Sequence, residues 1–221
     1  MRQLYHYPIF PLSRQVRVAL AEKRLEFESV IEKPWERRED FLALNPAGEV
    51  PVLVETDGTT IVGDAILDYL EEAYPEQPLM PRGAVARAEV RRLLSWFNRK
   101  FDREVTENLA GERLVKRLSG EGYPFAPAIR AGVNNVHFHL EYIAWLSDRR
   151  IWLAGEQLTL VDIAAGAHLS VVDYIDGVPW SQHQEAKDWY ARIKCRPSFR
   201  PLLLDRVPGV NPPAHYDDLD F

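Results

Sequence analysis

Apolar and polar positions alternate at the start of the chain, where Gln3 to Tyr7 read as a short strand before Pro8 and Pro11 bracket a loop. From Ser13 the spacing turns helical, with Val16, Ala19 and Leu20 on one face and Arg14, Arg17 and Glu22 elsewhere. Alternation returns over Phe27 to Ile31. After the charged stretch KPWERRED come Val50-Pro51 and the run Val52-Leu53-Val54, then the turn signal Asp57-Gly58 and the run Thr60-Ile61-Val62; this order predicts a β-hairpin. A further helix, with Ala65, Ile66, Tyr69, Leu70 and Ala73 inward, ends at Tyr74-Pro75, because the residue before a proline is pushed out of the helical region.

Strand signals fade from residue 84 onward. Ala86, Val90, Leu93, Leu94, Phe97 and Phe101 recur at helical spacing, and so do Val136, Leu140 and Ile143, and Ile163, Ala164, Ala167, Val171 and Tyr174. The segment Thr159-Leu160-Val161-Asp162 has the form of a capping box, in which each side chain satisfies an orphan backbone N–H at a helix start. A last amphipathic helix carries Ala186, Trp189, Tyr190 and Ile193 and stops before Pro197. The pattern divides the chain into an α/β domain over residues 1–77, an all-helical domain over 84–205 and an extended tail over 206–221.

Composition narrows the function. Of 221 residues, 46% are hydrophobic, so the chain is long and apolar enough to bury a core without a metal or disulfide staple. The net charge of −6 argues against a broad nucleic-acid face. A single cysteine, Cys195, excludes an internal disulfide and a Cys-rich zinc site and fits a reducing compartment. No run approaches the ~18 apolar residues of a membrane span, and MRQLYHYPIF is not a signal peptide, so a cytosolic protein without a membrane partner is expected. His137 and His139 diverge on a helix and make no metal pair, His168 reads as a hydrogen-bonded core histidine, and nucleotide-binding glycine motifs are absent. No metal or cofactor is expected.

Over roughly residues 1–205 the segments SRQVRVALAEKRLEFE, NPAGEVPVLVETDG, AILDYLEEAYP, LAGEQLTLVDIAAGAHL and RIKCRPSF, in this order, resemble the glutathione S-transferase family. The resemblance implies a thioredoxin-like N-terminal domain, a helical C-terminal domain, a homodimer and a cis bond at Val50-Pro51. It also implies a Ser, Cys or Tyr after the first strand that engages the glutathione sulfur, since only a thiolate is a strong nucleophile. In this register that position is Phe10, whose phenyl ring donates no hydrogen bond. Ser13 is the nearest hydroxyl, and it reads more readily as a helix cap than as a thiol activator. The Glu-Ser pair that would hold the γ-glutamyl end is replaced by Val62-Gly63, followed by Asp64, which brings negative charge to a carboxylate site. Phe10, Ser13, Val50, Pro51, Gly63 and Asp64 together read as a degenerate glutathione site, and catalytic residues are not assigned. The alternative is a glutathione S-transferase acting on an unknown electrophile.

The tail VPGVNPPAHYDDLDF is unusual for that family. Pro208, Gly209, Pro212 and Pro213 forbid a regular helix, after which His215, Tyr216, Asp217, Asp218, Leu219, Asp220 and Phe221 pair apolar anchors with uncompensated acids. Such a segment suits a partner's groove, and packing back on its own domain is the other reading. With the altered thiol position, this ending resembles the FtsZ-binding division branch of the family in alphaproteobacteria. That resemblance implies a cytoplasmic, non-catalytic homodimer at the division site that binds FtsZ and affects how its filaments curve or bundle. The seven tail residues are then the partner-binding set, and removing them is expected to cost little stability. Trp35, with Arg37 and Arg38, is a second candidate contact or a ring wedged against the helical domain, and Lys116, Arg117 and Arg130 are a candidate basic rim.

Overall fold

In the computed structural model, which describes residues 1–219, the chain forms two compact units, Met1–Leu79 and the segment from Met80 onward. The first contains strands β1 (Arg2–His6), β2 (Phe27–Ile31), β3 (Val52–Val54) and β4 (Thr60–Val62) in the order β2-β1-β3-β4. β1 runs parallel to β2 and antiparallel to β3, and β3 and β4 form the predicted hairpin. Its turn closes with Glu55 N–H bonded to Thr59 O, and the Asp57 carboxylate accepts the Thr59 N–H. Leu4 faces Leu53 across the β1–β3 pair, and both are fully buried. Helix α1 (Pro11–Glu22) contributes Val16, Ala19 and Leu20 to the core, and α3 (Ala65–Ala73) contributes Ile66 and Leu70. Tyr5 packs on Phe41 of the short helix α2 (Glu39–Leu44), a turn that the apolar pattern did not reveal.

Two local expectations are corrected here. Pro11 does not bracket a loop but opens α1 at its first position, where its missing N–H is no loss and its fixed φ is already helical. Ser13, two residues further in, does not cap the helix: the N-cap is Phe10, with no side-chain bond, and the Ser13 hydroxyl is fully buried.

The second unit is built on a helix that runs without a break from α4 (Ala84–Ser95) through a wide-turn stretch, Trp96–Val115, into α5 (Lys116–Ser119). Helix α6 (Ala126–Ser147) lies on this stretch, close enough at Gly132 that an added Cβ would stand 2.7 Å from Leu109. Helix α7 (Leu160–Tyr174) is buried along its whole length between α4, the wide-turn stretch and α8 (Gln184–Lys194), which the short α9 (Arg200–Leu203) follows. The predicted capping box is present: Thr159 Oγ1 accepts the Val161 N–H, and Asp162 Oδ2 accepts the Thr159 N–H at 3.0 Å. Asp162 Oδ1 also accepts the Leu153 N–H at 2.8 Å, so this buried carboxylate holds the incoming loop as well as the helix start.

Residues 206–219 belong to this second unit. Tyr174 at the end of α7 accepts the Val207 N–H through its hydroxyl at 3.0 Å and donates to Val210 O at 2.8 Å. The turn between them uses Gly209 at φ +75°, a conformation that a side chain would strain. No helix among the described residues is long and apolar enough to cross a membrane.

Candidate functional site

The residues aligned with a glutathione site lie at the C-terminal end of β1 and around the β3–β4–α3 turn. The Phe10 ring meets Tyr7 at a tilt, 5.8 Å between centroids, and Tyr7 receives Trp35 edge-on at 4.9 Å. Trp35 is half-buried in this aromatic group, while Arg37 and Arg38 stay exposed. The Ser13 hydroxyl has no hydrogen-bond partner among the described residues and no exposure to solvent. His6, also buried, is held neutral down to about pH 3 by burial and by Arg17 and Arg14. The Val50-Pro51 bond is cis, and Pro51 O accepts the Gly63 N–H at 3.0 Å. Gly63 adopts φ +63° and a Cβ there would meet open space, so no side chain reaches from this position. Asp64 is exposed and makes no capping bond. The arrangement supplies no hydroxyl at Phe10 or Gly63 and adds a carboxylate at Asp64.

Of the two readings of the tail, packing back on its own domain describes its inner residues. Tyr216 is fully buried, its ring meeting Tyr174 edge-on at 5.2 Å and its hydroxyl bonding Leu202 O at 3.3 Å. That makes it an internal anchor, which corrects its assignment as a partner contact. His215 Nε2 lies 2.9 Å from Oδ1 of the buried Asp173, and this bond raises the imidazole pKa above its ordinary value against the opposing effect of burial. The Lys194 ammonium, buried at the end of α8, donates to the His215 and Asp218 carbonyls, and burial pulls its pKa down. Asp217 is exposed and pairs with Arg206 at 2.8 Å; the Asp218 side chain is exposed and Leu219 half-exposed. Asp220 and Phe221 lie outside the described residues.

Other titratable groups are structural. His168 is buried between Thr106 (2.9 Å) and Asn98 (3.3 Å), with its pKa pushed down to about 3 by burial. His139 bonds Trp96 and Glu104, and His137 pairs at 2.9 Å with His183, the residue before α8, a partner that helical spacing had no means of revealing. Lys116 is committed to Glu112, and the Arg117 guanidinium lies against Gly209. Cys195 is exposed at the end of α8. Among the described residues no cluster of three or more metal-ligating side chains occurs.

The glutathione S-transferase N-terminal domain family matches residues 4–78, and the C-terminal domain family matches residues 140–197. The chain belongs to the glutathione S-transferase family. Within the family it is 50% identical over 224 residues to FtsZ-localized protein A of Caulobacter vibrioides, covering 100% of this chain and 98% of that one. The solved structure of FzlA from C. crescentus superposes with a TM-score of 0.96 at 51% identity, covering 100% of this chain and 99% of the other. A crystal structure of a glutathione S-transferase from Rhodospirillum rubrum F11 superposes with a TM-score of 0.98 at 58% identity over 100% of both chains.

Proposed function

We propose that this chain is a non-catalytic, glutathione S-transferase-like adaptor that binds FtsZ polymers at the bacterial division site and alters their curvature or bundling. The observation that carries the reading is the end-to-end likeness to FtsZ-localized protein A, which takes in the acidic tail as well as the two domains. The degenerate glutathione site supports the non-catalytic part, since hydrogen bonds to a charged group are worth ~1.5–3 kcal/mol each and two are missing at Phe10 and Gly63. Asp217, Asp218, Leu219, Asp220 and Phe221 remain the partner-facing residues of the proposal, with Trp35 as a second contact.

A homodimer is part of the same reading, because two bound sites on one particle bridge or bend a polymer through linkage alone. An aromatic face on α6 and the start of the wide-turn stretch supports it. Phe138 and Trp145 are about half exposed and join Trp96 and Tyr142 in a run of ring contacts, with Lys100 and Arg149 over its rings. Contiguous exposed aromatic surface of this kind marks association sites.

Co-sedimentation with GTP-assembled FtsZ tests the central claim. Pelleting of the full chain that Asp218→Lys abolishes supports it, and no pelleting overturns it. The second reading, glutathione transfer to an electrophile, is favoured by the name of the R. rubrum relative. It predicts retention on immobilised glutathione and turnover of an electrophile, with a backbone donor at the sulfur because the Ser13 hydroxyl is buried.

A further inference from the structure

The bond between His137 and His183 carries a chemistry beyond its part in joining two helices. His137 lies on α6, and His183 immediately precedes α8. Nδ1 of His137 stands 2.9 Å from Nε2 of His183, with the ring centroids 5.1 Å apart. When both imidazoles are neutral, one ring's N–H points at the other's lone pair, so a single proton holds the two nitrogens together. The remaining histidines are engaged elsewhere or enclosed: His139 by Trp96 and Glu104, His168 by Thr106 and Asn98, His215 by Asp173, and His6 within the first unit.

The geometry lets a divalent transition metal take the place of that proton. Imidazole nitrogens ligate zinc at ~2.0–2.1 Å, so two of them at ~90–110° to one another are roughly 2.9–3.4 Å apart. The separation between His137 and His183 is already that of neighbouring ligands, and a turn of each ring brings both lone pairs to one point. Carboxylates flank the pair. Glu141, four residues beyond His137, shares its face of α6, and Glu185 lies in the first turn of α8. Both are exposed, and both favour positive charge on the His183 ring, against burial and the adjacent His137. They also offset the positive end of the α8 dipole, which opposes a cation there. His183 is 9% exposed and His137 more so, and the pair therefore borders solvent. Two imidazoles completed by carboxylate and water suit zinc, nickel or copper(II), whereas magnesium and calcium prefer oxygen alone.

We infer that His137 and His183 clamp a zinc-class divalent metal ion, with Glu141 turning in as the third ligand. Among the described residues no third donor already stands in place, so binding orders Glu141 and ties α6 to the start of α8. The site is separate from the FtsZ reading and stands or falls without it. Zinc chloride titrated into the full chain, stripped of metal with a chelator, tests it by calorimetry. The expected result is one zinc bound per chain and a melting temperature that climbs as zinc exceeds its dissociation constant. His137→Ala and His183→Ala each weaken binding about tenfold or more, and Glu141→Gln weakens it about threefold or more. Cys195→Ser, which removes the exposed thiol, leaves the affinity within about twofold. If a histidine variant fails to fold, the parent decides: zinc shifts the His137 and His183 imidazole resonances and leaves those of His215 in place. No zinc binding below about 1 mM overturns the inference. So does binding that survives both histidine changes, binding lost with Cys195→Ser, or resonance shifts confined to other histidines. An unchanged Glu141→Gln overturns its assignment as the third ligand.

Discussion

Replacing Tyr216 with alanine separates a tail that is part of the core from one that merely drapes over it. Its ring is fully buried, and burying a tyrosine removes roughly 150–200 Å² from water, worth ~4–5 kcal/mol at ~25 cal/mol per Å². Large-to-small changes at buried aromatics cost about 3–5 kcal/mol, and the edge-on contact with Tyr174 adds to the loss. For a unit of this size ~1 kcal/mol moves the melting temperature by ~2–4 °C, so Tyr216→Ala is expected to lower it by roughly 10 °C. Tyr216→Phe, which keeps the ring and removes the bond to Leu202 O, costs about 1 kcal/mol. Asp217→Ala, which breaks an exposed ion pair with Arg206, costs ~0–1 kcal/mol. Differential scanning calorimetry on the three variants gives the order. A shift for Tyr216→Ala no larger than that for Asp217→Ala refutes the argument, because the ring would then contribute nothing that solvent does not. The same reasoning reverses the expectation that removing the tail is harmless: a chain ending at Ala214 loses Tyr216 and leaves Lys194 buried without two of its carbonyl partners.

Four further outcomes follow from the contacts. Asp162→Ala leaves the Leu153 and Thr159 N–H groups without their acceptor and is expected to cost about 2–5 kcal/mol in urea unfolding, with Asp162→Asn recovering part of it. Gly166→Val places a side chain where even a Cβ would stand 2.7 Å from Ile193 and 3.2 Å from Phe199, so a loss of ~1–3 kcal/mol or failure to fold is expected in the same assay. His215 has a raised pKa in the fold, so its stabilising bond to Asp173 is fully present below the unfolded value and fades as pH climbs through the folded one; the parent's advantage over His215→Gln is therefore larger at pH 5.5 than at pH 8, and equal advantages at both refute it. Trp145→Glu puts charge in the exposed aromatic face, and light scattering is expected to report the monomer mass for it and twice that mass for the parent.

The sequence determined the elements. The β3–β4 hairpin follows from two short apolar runs joined across an Asp-Gly turn, the α7 cap from a threonine and an aspartate three residues apart, and the core role of His168 from the apolar face it shares. Each of these is set by neighbours within a turn or two, so the pattern carries it. Tertiary structure decided the rest. Whether a chemically ambiguous segment such as AHYDD binds outward or packs inward depends on whether a complementary site exists elsewhere in the fold. Here it does: Tyr174 and Asp173 at the end of α7, Leu202 in α9 and Lys194 at the end of α8 receive the ring, the imidazole and the carbonyls. His137 and His183 are likewise brought together only by the packing of α6 on α8. The composition of the tail carried its acidity and its aromatic content, and the burial of Tyr216 divided it into an inner anchor and an outer acidic edge, because only the folded helices supply the cavity that the ring fills.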